Sequence, residues 1–403
     1  MTTRLYYQDA YLQEFTGTIT DRREVEGRPA VVLDRTAFYP TSGGQPFDIG
    51  TLGTARVLGV EEVPSGEILH LLDGQVDSTA PVMGRIDWQR RFDHMQQHTG
   101  QHILSQAFLQ LARAQTIGFH LGAQTSTIDF DVPLTGGGAI EEAEALAGRV
   151  IFEDRPVHIL TADRAQIETL GVRKEPVRDG PIRVIDVEGF DRSPCGGTHV
   201  RRTGEIGLAA ILGHERYKGG TRVEFVAGYR ACLVFRKEHQ LLGNLGRLFT
   251  GHPYDLPQLA EKCLAERSSL AKENARLREQ LIEKEAEEMV ARADKVGGIA
   301  VVSLLYSDRK FDSLKILAQK VTSRPGAVAL LATILDSPML VAARSKDVPG
   351  DCNAAVEENA AALGGKGGGR PELAQAGGMP AEVVPAWLER LEQHFRLRIR
   401  SGR

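Results

Sequence analysis

DWQRRFDHMQQHTGQHILSQAFLQLARA, residues 87–114, is the stretch that decides the fold of this 403-residue chain. Its apolar residues, among them Phe92, Ile103 and Phe108, recur at the spacing of an α-helix. Residues 1–85 instead alternate short apolar runs with turn residues, which is typical of β-strands. This change of period predicts a small N-terminal β-barrel or sandwich, followed by a long helix that opens an α+β core.

Within that helix, three histidines recur at a constant spacing of four: His94, His98 and His102. This spacing puts their rings on one helix face, where two neighbouring imidazoles can bind one metal ion. The first and third lie about 12 Å apart along the helix axis, too far to share an ion with bonds of about 2 Å. The spacing leaves open whether His94/His98 or His98/His102 is the metal-binding pair, or whether all three line a solvated face.

The second half of a metal site is predicted in CGGTH, residues 195–199. Cys195 and His199 offer a thiolate and an imidazole, the ligands that zinc prefers. Gly196 and Gly197 disfavour a helix here, and we expect them to let the backbone turn tightly so that both ligands face one point.

Composition describes an ordinary soluble globular protein, with 42% hydrophobic residues, 25% charged residues and a net charge of −4. There is no apolar run long enough for a bilayer and no signal-peptide core at the start, so we expect a cytoplasmic protein without membrane contact. An RNA partner would need local basic patches, because the chain as a whole is acidic. The other cysteines, Cys232, Cys263 and Cys352, are predicted to be small core residues.

Four domains are predicted along the chain: an N-terminal barrel (1–85), an α+β core with an antiparallel sheet (86–240), a helical linker (241–295) and a C-terminal α/β domain (296–403). In the linker, Leu259, Leu270, Leu277 and Leu281 recur with heptad-like steps. This pattern fits a coiled coil that makes a homodimer, and equally a long helix packed on its own domain. LGGKGGGRPELAQAGG, residues 363–378, is predicted to be a glycine-rich loop.

HTGQH and CGGTH resemble the paired zinc motifs of the alanyl-tRNA synthetase editing domain and of its freestanding relatives, the alanyl-tRNA editing proteins (AlaX). The resemblance implies one zinc ion per chain, with His98, His102, Cys195 and His199 as ligands. His94 then falls outside the ligand set.

Three further segments resemble this family in matching order. PTSGGQPFDIG (40–50) is similar to the glycine-rich motif of its barrel, and GFHLG (118–122) to a segment that lines its pocket. The glycine-rich C-terminal segment resembles the DHH-associated type 1 domain, which is linked to tRNA binding. Because the chain starts at the barrel, and because we find no Asp-His-His motif, the long freestanding editor is the expected form.

The resemblance implies a hydrolase for the ester of alanine tRNA mischarged with serine or glycine. The implied catalytic residues are the four zinc ligands, with His94 as a further base, a contact to the terminal adenosine, or a plain surface histidine. A filled tetrahedron usually marks a structural ion, so we expect one loose ligand or a fifth coordination position. The residues predicted to border the amino-acid pocket are Thr41, Ser42, Gly43, Gly44, Gln45, Phe119 and His120.

Local basic clusters around these motifs are predicted to contact the tRNA phosphates. They are Arg90, Arg91, Arg201, Arg202, Arg216, Lys218, Arg222, Lys366 and Arg370. Two other functions are compatible with the sequence. One is a deacylase for another mischarged tRNA, such as threonine tRNA, and the other is a non-catalytic tRNA-binding protein with a structural zinc.

Overall fold

The computed structural model describes residues 2–77, 79–134, 138–175 and 180–401. These residues group into two compact units, Met1–Leu248 and Phe249–Arg403. The division into four domains therefore stays a prediction, and each unit is described by itself.

The N-terminal part of the first unit is a strand-rich layer. Its strands are β1 (Thr3–Arg4), β2 (Glu14–Gly17), β3 (Ile19–Val25), β4 (Arg28–Leu33), β5 (Arg35–Thr36), β6 (Gly50–Leu52), β7 (Ala55–Glu62), β8 (Ile68–Leu72) and β9 (Val82–Ile86). Seven of them form one antiparallel sheet in the order β2-β9-β6-β7-β8-β4-β3, and β1 pairs in parallel with β5. Among the described residues no ladder joins the end strands β2 and β3, so the predicted closed barrel is not confirmed.

The predicted central helix is confirmed as α1 (Trp88–Ala112). It begins after Asp87, whose side chain accepts a hydrogen bond from Arg90 N, and it ends at Arg113, which adopts a left-handed conformation. Most of its middle is buried, including polar side chains such as Gln97. Gln97 is satisfied by the backbone N and O of Ala227, at 2.8 and 2.6 Å. Because buried polar groups need such partners, the contacts of α1 fix how its histidines are presented.

Besides α1, the described residues of the rest of the first unit form two antiparallel sheets and three α-helices. The elements are β10 (Thr116–Leu121), β11 (Ser126–Phe130), α2 (Ala139–Phe152), β12 (Val157–Ala162), α3 (Arg164–Leu170), β13 (Ile182–Val187), β14 (Asp191–Pro194), β15 (Ala209–Tyr217), β16 (Gly220–Ala227) and α4 (Tyr229–Phe249). The sheets have the orders β10-β11-β16-β15 and β12-β13-β14. The predicted α+β core with antiparallel pairing is therefore confirmed, and CGGTH directly follows β14.

The second unit is a mixed sheet with helices. Its elements are α5 (Leu256–Arg292), β17 (Asp294–Val296), β18 (Ile299–Tyr306), α6 (Phe311–Thr322), β19 (Ala327–Thr333), β20 (Met339–Arg344), α7 (Cys352–Ala362), β21 (Lys366–Arg370), β22 (Leu373–Gly377) and α8 (Val384–Ser401). The strand order is β17-β18-β19-β20-β22-β21, with β18 and β19 parallel. Helices packed on a sheet are confirmed, but only one of the five described strand pairs is parallel, so the unit is a mixed α+β arrangement and not a strict α/β fold. The predicted glycine-rich loop is wrong because its residues form the hairpin β21–β22. A side chain at Gly367 would overlap Val356, so glycine here lets α7 lie close to the strand.

The predicted exposed helix is α5, where Leu270, Leu277 and Leu281 are exposed. Its C-terminal part is not an independent linker, because Ala286 is buried in one cluster with residues of α6 and the sheet. Two cysteine predictions are wrong: Cys232 and Cys263 are exposed, whereas Cys352 is buried as expected. Within the part of the chain that the structure describes, no helix combines the length and hydropathy of a membrane span.

Candidate metal centre and active site

His98, His102, Cys195 and His199 meet in the first unit, and their ligand atoms all lie within 4.8 Å of one another. We call these four residues the His/Cys cluster. Helix α1 supplies His98 and His102, and the segment after β14 supplies Cys195 and His199. Of the two pairs that the spacing left open, the structure brings His98 and His102 together with the CGGTH segment.

Gln45 fixes the orientation of the His98 ring. Its Oε1 lies 2.8 Å from His98 Nδ1 and accepts a hydrogen bond from Thr198 N at 3.1 Å. Its Nε2 donates to Thr198 Oγ1 at 2.8 Å, which sets the direction of the amide. His98 Nδ1 must therefore carry the proton, and the free lone pair sits on Nε2, 3.4 Å from Cys195 Sγ.

The other two imidazoles are also held through Nδ1. His102 Nδ1 lies 3.1 Å from the buried Asp191 Oδ2, and His199 Nδ1 lies 3.1 Å from Thr99 Oγ1. His199 Nε2 lies 3.3 Å from Cys195 Sγ. Burial lowers the pKa of His102, but hydrogen bonds to Asp191 and Cys195 outweigh burial and raise it. Outer partners of this kind orient histidine ligands in metal sites.

The environment of Cys195 stabilises its thiolate form. Burial raises the pKa of its thiol, but the neighbouring His98, His199 and His102 outweigh burial and hold the pKa well below its ordinary value. Gly197 N also donates to Cys195 Sγ at 3.3 Å. Burial lowers the pKa of His199 to about 3, so its ring is neutral at pH 7. A thiolate and neutral imidazoles are the ligand forms that zinc binds.

Gly197 is required by a close approach and not by a turn. A side chain there would overlap the His98 ring and come within 2.9 Å of Gln45 Oε1, whereas one at Gly196 would meet nothing nearer than Tyr7 Oη at 3.4 Å. The backbone bends at Gly197 and brings Cys195 and His199 to one point, as expected, but neither glycine has a positive φ, so the bend does not need a glycine-only conformation. The segment is held instead by Arg183, which donates to Cys195 O and Gly197 O at 2.8 and 2.9 Å.

The cluster opens into a cavity of about 580 Å³, which we call the cluster cavity. His98, His102 and Cys195 are among its lining residues. The other lining residues are Gly43, Gln101, Leu109, Ala114, Gln115, Thr116, Ile117, Gly118, Phe119, Arg173, Lys174, Ser193, Pro194 and Gly196. Three of the four cluster residues therefore border this cavity, and His199 is not among its lining residues.

Comparisons with known proteins agree with this geometry. The family described as "Threonyl and Alanyl tRNA synthetase second additional domain" matches residues 182–224, and the DHHA1 domain matches residues 297–397. The alanyl-tRNA editing protein AlaX-L of Pyrococcus horikoshii is 32% identical over 98% of this chain and 100% of its own length. The chain belongs to the alanyl-tRNA editing protein family.

Two other relatives place this family member in context. Alanyl-tRNA editing protein Aarsd1-B of Xenopus laevis is 34% identical over 66% of this chain and 65% of that protein. The alanine–tRNA ligase of Pyrococcus furiosus is 33% identical over 93% of this chain but only 42% of the ligase. The chain thus spans less than half of that ligase.

The segment predicted to border the amino-acid pocket lies in three different environments in this editing-family chain. Gly43 and Phe119 line the cluster cavity, whereas His120 is exposed and is not among the lining residues. Gln45 is fully buried, and its amide is committed to the cluster. Thr41 and Ser42 are exposed, and a side chain at Gly44 would overlap the Phe119 carbonyl.

Arg91 is not accessible to RNA, which corrects its predicted role. Its side chain is fully buried and donates to Asp48, Ala10 O and Ala37 O, so no part of the guanidinium remains for phosphate. Arg201 pairs with the carboxylate of Asp9 and Arg202 with that of Asp154, and both arginines remain exposed. Arg222 pairs with Asp129 and is half-buried. The remaining basic residues are Arg90, which is half-buried, and Arg216, Lys218, Lys366 and Arg370, which are exposed.

His94 lies outside the cluster but is not a surface histidine. Its side chain is 2% exposed, and Nδ1 has no hydrogen-bond partner among the described residues. Burial, followed by the charges of Arg90 and Arg230, lowers its pKa to about 3, so the ring is neutral at pH 7.

Sequence reasoning missed the outer partners Asp191, Thr99 and Thr198. Asp191 precedes Cys195 by four residues, and the threonines lie inside the two motifs. They carry no spacing signal, because Asp191 and Thr99 act on the imidazole edges they meet in three dimensions and Thr198 acts through the Gln45 amide.

Proposed function

We propose that this chain is a trans-editing hydrolase that removes serine, and also glycine, from mischarged alanine tRNA by cleaving the aminoacyl ester. The observation that carries the proposal is the His/Cys cluster, in a chain that matches an alanyl-tRNA editing protein over 98% of its length. Such a second step is needed because a synthetase pocket rejects substrates that differ by one methyl or hydroxyl only weakly.

Zinc, one ion per chain, is the cofactor that we propose for the cluster. A tetrahedral site with bonds of about 2.0–2.3 Å separates its ligand atoms by roughly 3.5 Å. Cys195 Sγ lies 3.4 Å from His98 Nε2 and 3.3 Å from His199 Nε2, which fits this requirement. When bound, zinc would polarise the ester carbonyl or a water molecule. Whether one ligand is loose or a fifth position is used stays a prediction.

The chain's own residues have two proposed tasks around the cluster. Gln45, Asp191 and Thr99 hold the three imidazoles by their Nδ1 atoms, so that each Nε2 is presented in a fixed direction. Gly43 and Phe119 form part of the wall against which the small amino acid would lie. The exposed Thr41 and Ser42 are proposed to read the serine hydroxyl from the rim. Gly44 is proposed to allow close backbone approach there, and His120 is proposed as a further part of the wall.

Phosphates of the tRNA are proposed to contact the remaining basic residues and not Arg91. The positions are Arg90, Arg201, Arg202, Arg216, Lys218, Arg222, Lys366 and Arg370. These contacts would make tRNA binding weaken steeply with salt. We further propose a cytoplasmic location and a homodimer through α5 or the C-terminal domain, with the exposed leucines of α5 as support.

Deacylation of seryl-tRNA for alanine, measured with the zinc-loaded and the chelated protein, tests the proposed function. We expect hydrolysis with zinc, loss after chelation, and loss in Cys195→Ala, because the cluster is then incomplete. Seryl-tRNA for threonine is the control substrate. Equal or faster hydrolysis of seryl-tRNA for threonine would favour a threonine-tRNA deacylase. Hydrolysis of neither substrate would favour a non-catalytic tRNA-binding protein with a structural zinc ion.

A further inference from the structure

A second cavity, of about 720 Å³, lies beside the first turns of α1 and shares no lining residue with the cluster cavity. We call it the His94 cavity. Its lining includes Trp88, Arg90, Phe92, His94, Tyr229 and Leu233. The proposed deacylation at the cluster uses none of its side chains except the phosphate contact at Arg90.

Two aromatic rings of this cavity, Trp88 and Phe92, pack against the core of the first unit. The rings of Trp88 and Phe92 lie 5.4 Å apart, and Tyr11 packs 5.4 Å from Trp88 on the side of the core. Tyr229 adds a third aromatic residue to the lining, and it is 63% exposed. Flat aromatic faces held in place by packing are suited to stacking with a planar heterocycle.

Most polar groups around the cavity are already paired, which makes the free ones informative. Asp93 and Arg230 form two short hydrogen bonds, of 2.8 and 2.6 Å, and Arg230 also donates to Gly122 O. His94 Nδ1, in contrast, is buried and has no partner among the described residues. Arg90 uses its Nε for Phe47 O at 3.1 Å, and in the described part of the chain its two terminal nitrogens have no hydrogen bond.

We propose that the His94 cavity binds one unpaired base of single-stranded RNA, with the phosphate of that nucleotide against Arg90. The base stacks on the aromatic wall, which is how proteins hold unpaired bases. The neutral His94 ring supplies one hydrogen bond to the base edge, and that bond satisfies its otherwise unpartnered nitrogen. Arg90 supplies the cation that a phosphate requires.

The position of the cavity indicates that this base belongs to the substrate tRNA, and in this respect the inference rests on the proposed function. His94 and His98 are one helical turn apart, about 6 Å along the axis. Stacked nucleotides rise about 3.4 Å each, so the cavity lies one or two nucleotides from the cluster. A strand whose ester reaches the cluster cavity can therefore place a neighbouring base here.

Tryptophan fluorescence tests the proposal directly. The chain has two tryptophans; Trp88 lines the cavity, and Trp387 is fully buried in the second unit and gives a constant signal. Titration with AMP and with the trinucleotide CCA should quench Trp88, the trinucleotide at lower concentration. Ribose 5-phosphate should not quench. In Trp88→Phe the signal change should disappear for every ligand.

Variants on exposed positions separate binding from folding. Tyr229→Ala should weaken the trinucleotide about fivefold to 150-fold, the effect of losing one stacking partner. Phe235→Ala is the matched control, because Phe235 lies on the same helix, is 66% exposed and does not line the cavity. It should bind as the wild type does. His94→Leu should weaken binding about threefold to tenfold, the effect of one lost hydrogen bond.

Cys195→Ala keeps this test independent of the hydrolase. It should lose deacylation and keep the wild-type quenching curve. Deacylation by the wild type without any quenching would overturn the inference and leave the proposed function intact. Quenching by the wild type without deacylation would overturn the proposed function and leave the base-binding inference intact. Quenching by AMP but not by the trinucleotide, or equal weakening by Tyr229→Ala and Phe235→Ala, would also overturn it.

Discussion

Gly197→Ala is the perturbation that tests the cluster most sharply. Gly197 is buried against the His98 ring, and an added Cβ would overlap the ring atoms Cε1 and Nδ1. The same Cβ would come within 2.9 Å of Gln45 Oε1, which holds His98 in place. One methyl group therefore strains both the ligand and its partner, without touching any donor atom chemically.

The expected magnitude follows from the overlap. An ordinary carbon–carbon contact is about 3.5–4.0 Å, so the His98 ring must retreat by more than about 1 Å. Metal–ligand bonds tolerate only about 0.2 Å. Loss of an outer partner already costs about 10-fold to 100-fold in metal affinity. Displacement of the ligand itself should cost at least the upper end, about 100-fold, with a similar or larger loss of deacylation rate.

Gly196→Ala is the matched control, because its Cβ would meet nothing closer than Tyr7 Oη at 3.4 Å and Gly196 is exposed. Zinc affinity would be measured by competition with a chromophoric chelator, and folding by circular dichroism. We expect a folded Gly197→Ala protein with weak zinc binding and slow deacylation, next to a nearly normal Gly196→Ala protein. Zinc affinity of Gly197→Ala within about threefold of wild type would refute the reasoning, and so would equal losses in both variants.

Three other predictions follow from buried polar groups. Asp191→Ala removes the acceptor behind one histidine of the cluster, so zinc affinity in the same competition assay should fall about 10-fold to 100-fold, and unchanged affinity would contradict the role. Arg91→Met leaves Asp48 as an unpaired buried charge, so urea unfolding should show a loss of about 3–5 kcal/mol in the free energy of unfolding. Arg201→Ala, on the exposed surface, is the control: it should change the free energy of unfolding by less than about 0.5 kcal/mol and weaken tRNA binding. Burial lowers the pKa of His70 to about 4, so the unfolded chain takes up a proton at a higher pH than the folded one. Stability is then full above pH 6.5 and falls by about 3 kcal/mol as the pH drops to about 4. Urea unfolding at several pH values over this range should show that the free energy of unfolding falls less with pH in His70→Asn than in the wild type. An identical pH dependence in the two proteins would contradict this role of His70.

Part of the candidate site could be predicted from the sequence, because the spacing of its histidines is a local property of the chain. A repeat of four on a helix puts histidines on one face, whatever the rest of the chain does, and α1 has the predicted length within two residues at each end. Spacing did not choose between His94 and His102 as partner of His98. That choice depends on where Cys195 and His199 arrive, 93 or more residues later, and the structure settles which rings they meet.

The basic residues also show that the sequence gives the charge of a side chain but not its environment. Arg90 and Arg91 are neighbours with the same charge, but a helix turns by about 100° per residue, so they face different surroundings. Arg91 points into the fold and ion-pairs with Asp48, whereas Arg90 lines the His94 cavity. No sequence pattern separates these two outcomes, because the sign of a charge is local and its burial is not.

The sequence by itself determined the central helix, the alternation of strands, the mixture of helices and strands in the second unit and the spacing of the candidate His and Cys ligands, since each depends on neighbours along the chain. Only the tertiary structure decided the partners of each imidazole, the reason for Gly197, the burial of Arg91 and His94, and the pairing of residues 366–377 as a hairpin. These features arise from contacts between residues far apart in the chain, where packing and the need to pair buried polar groups outweigh local preference.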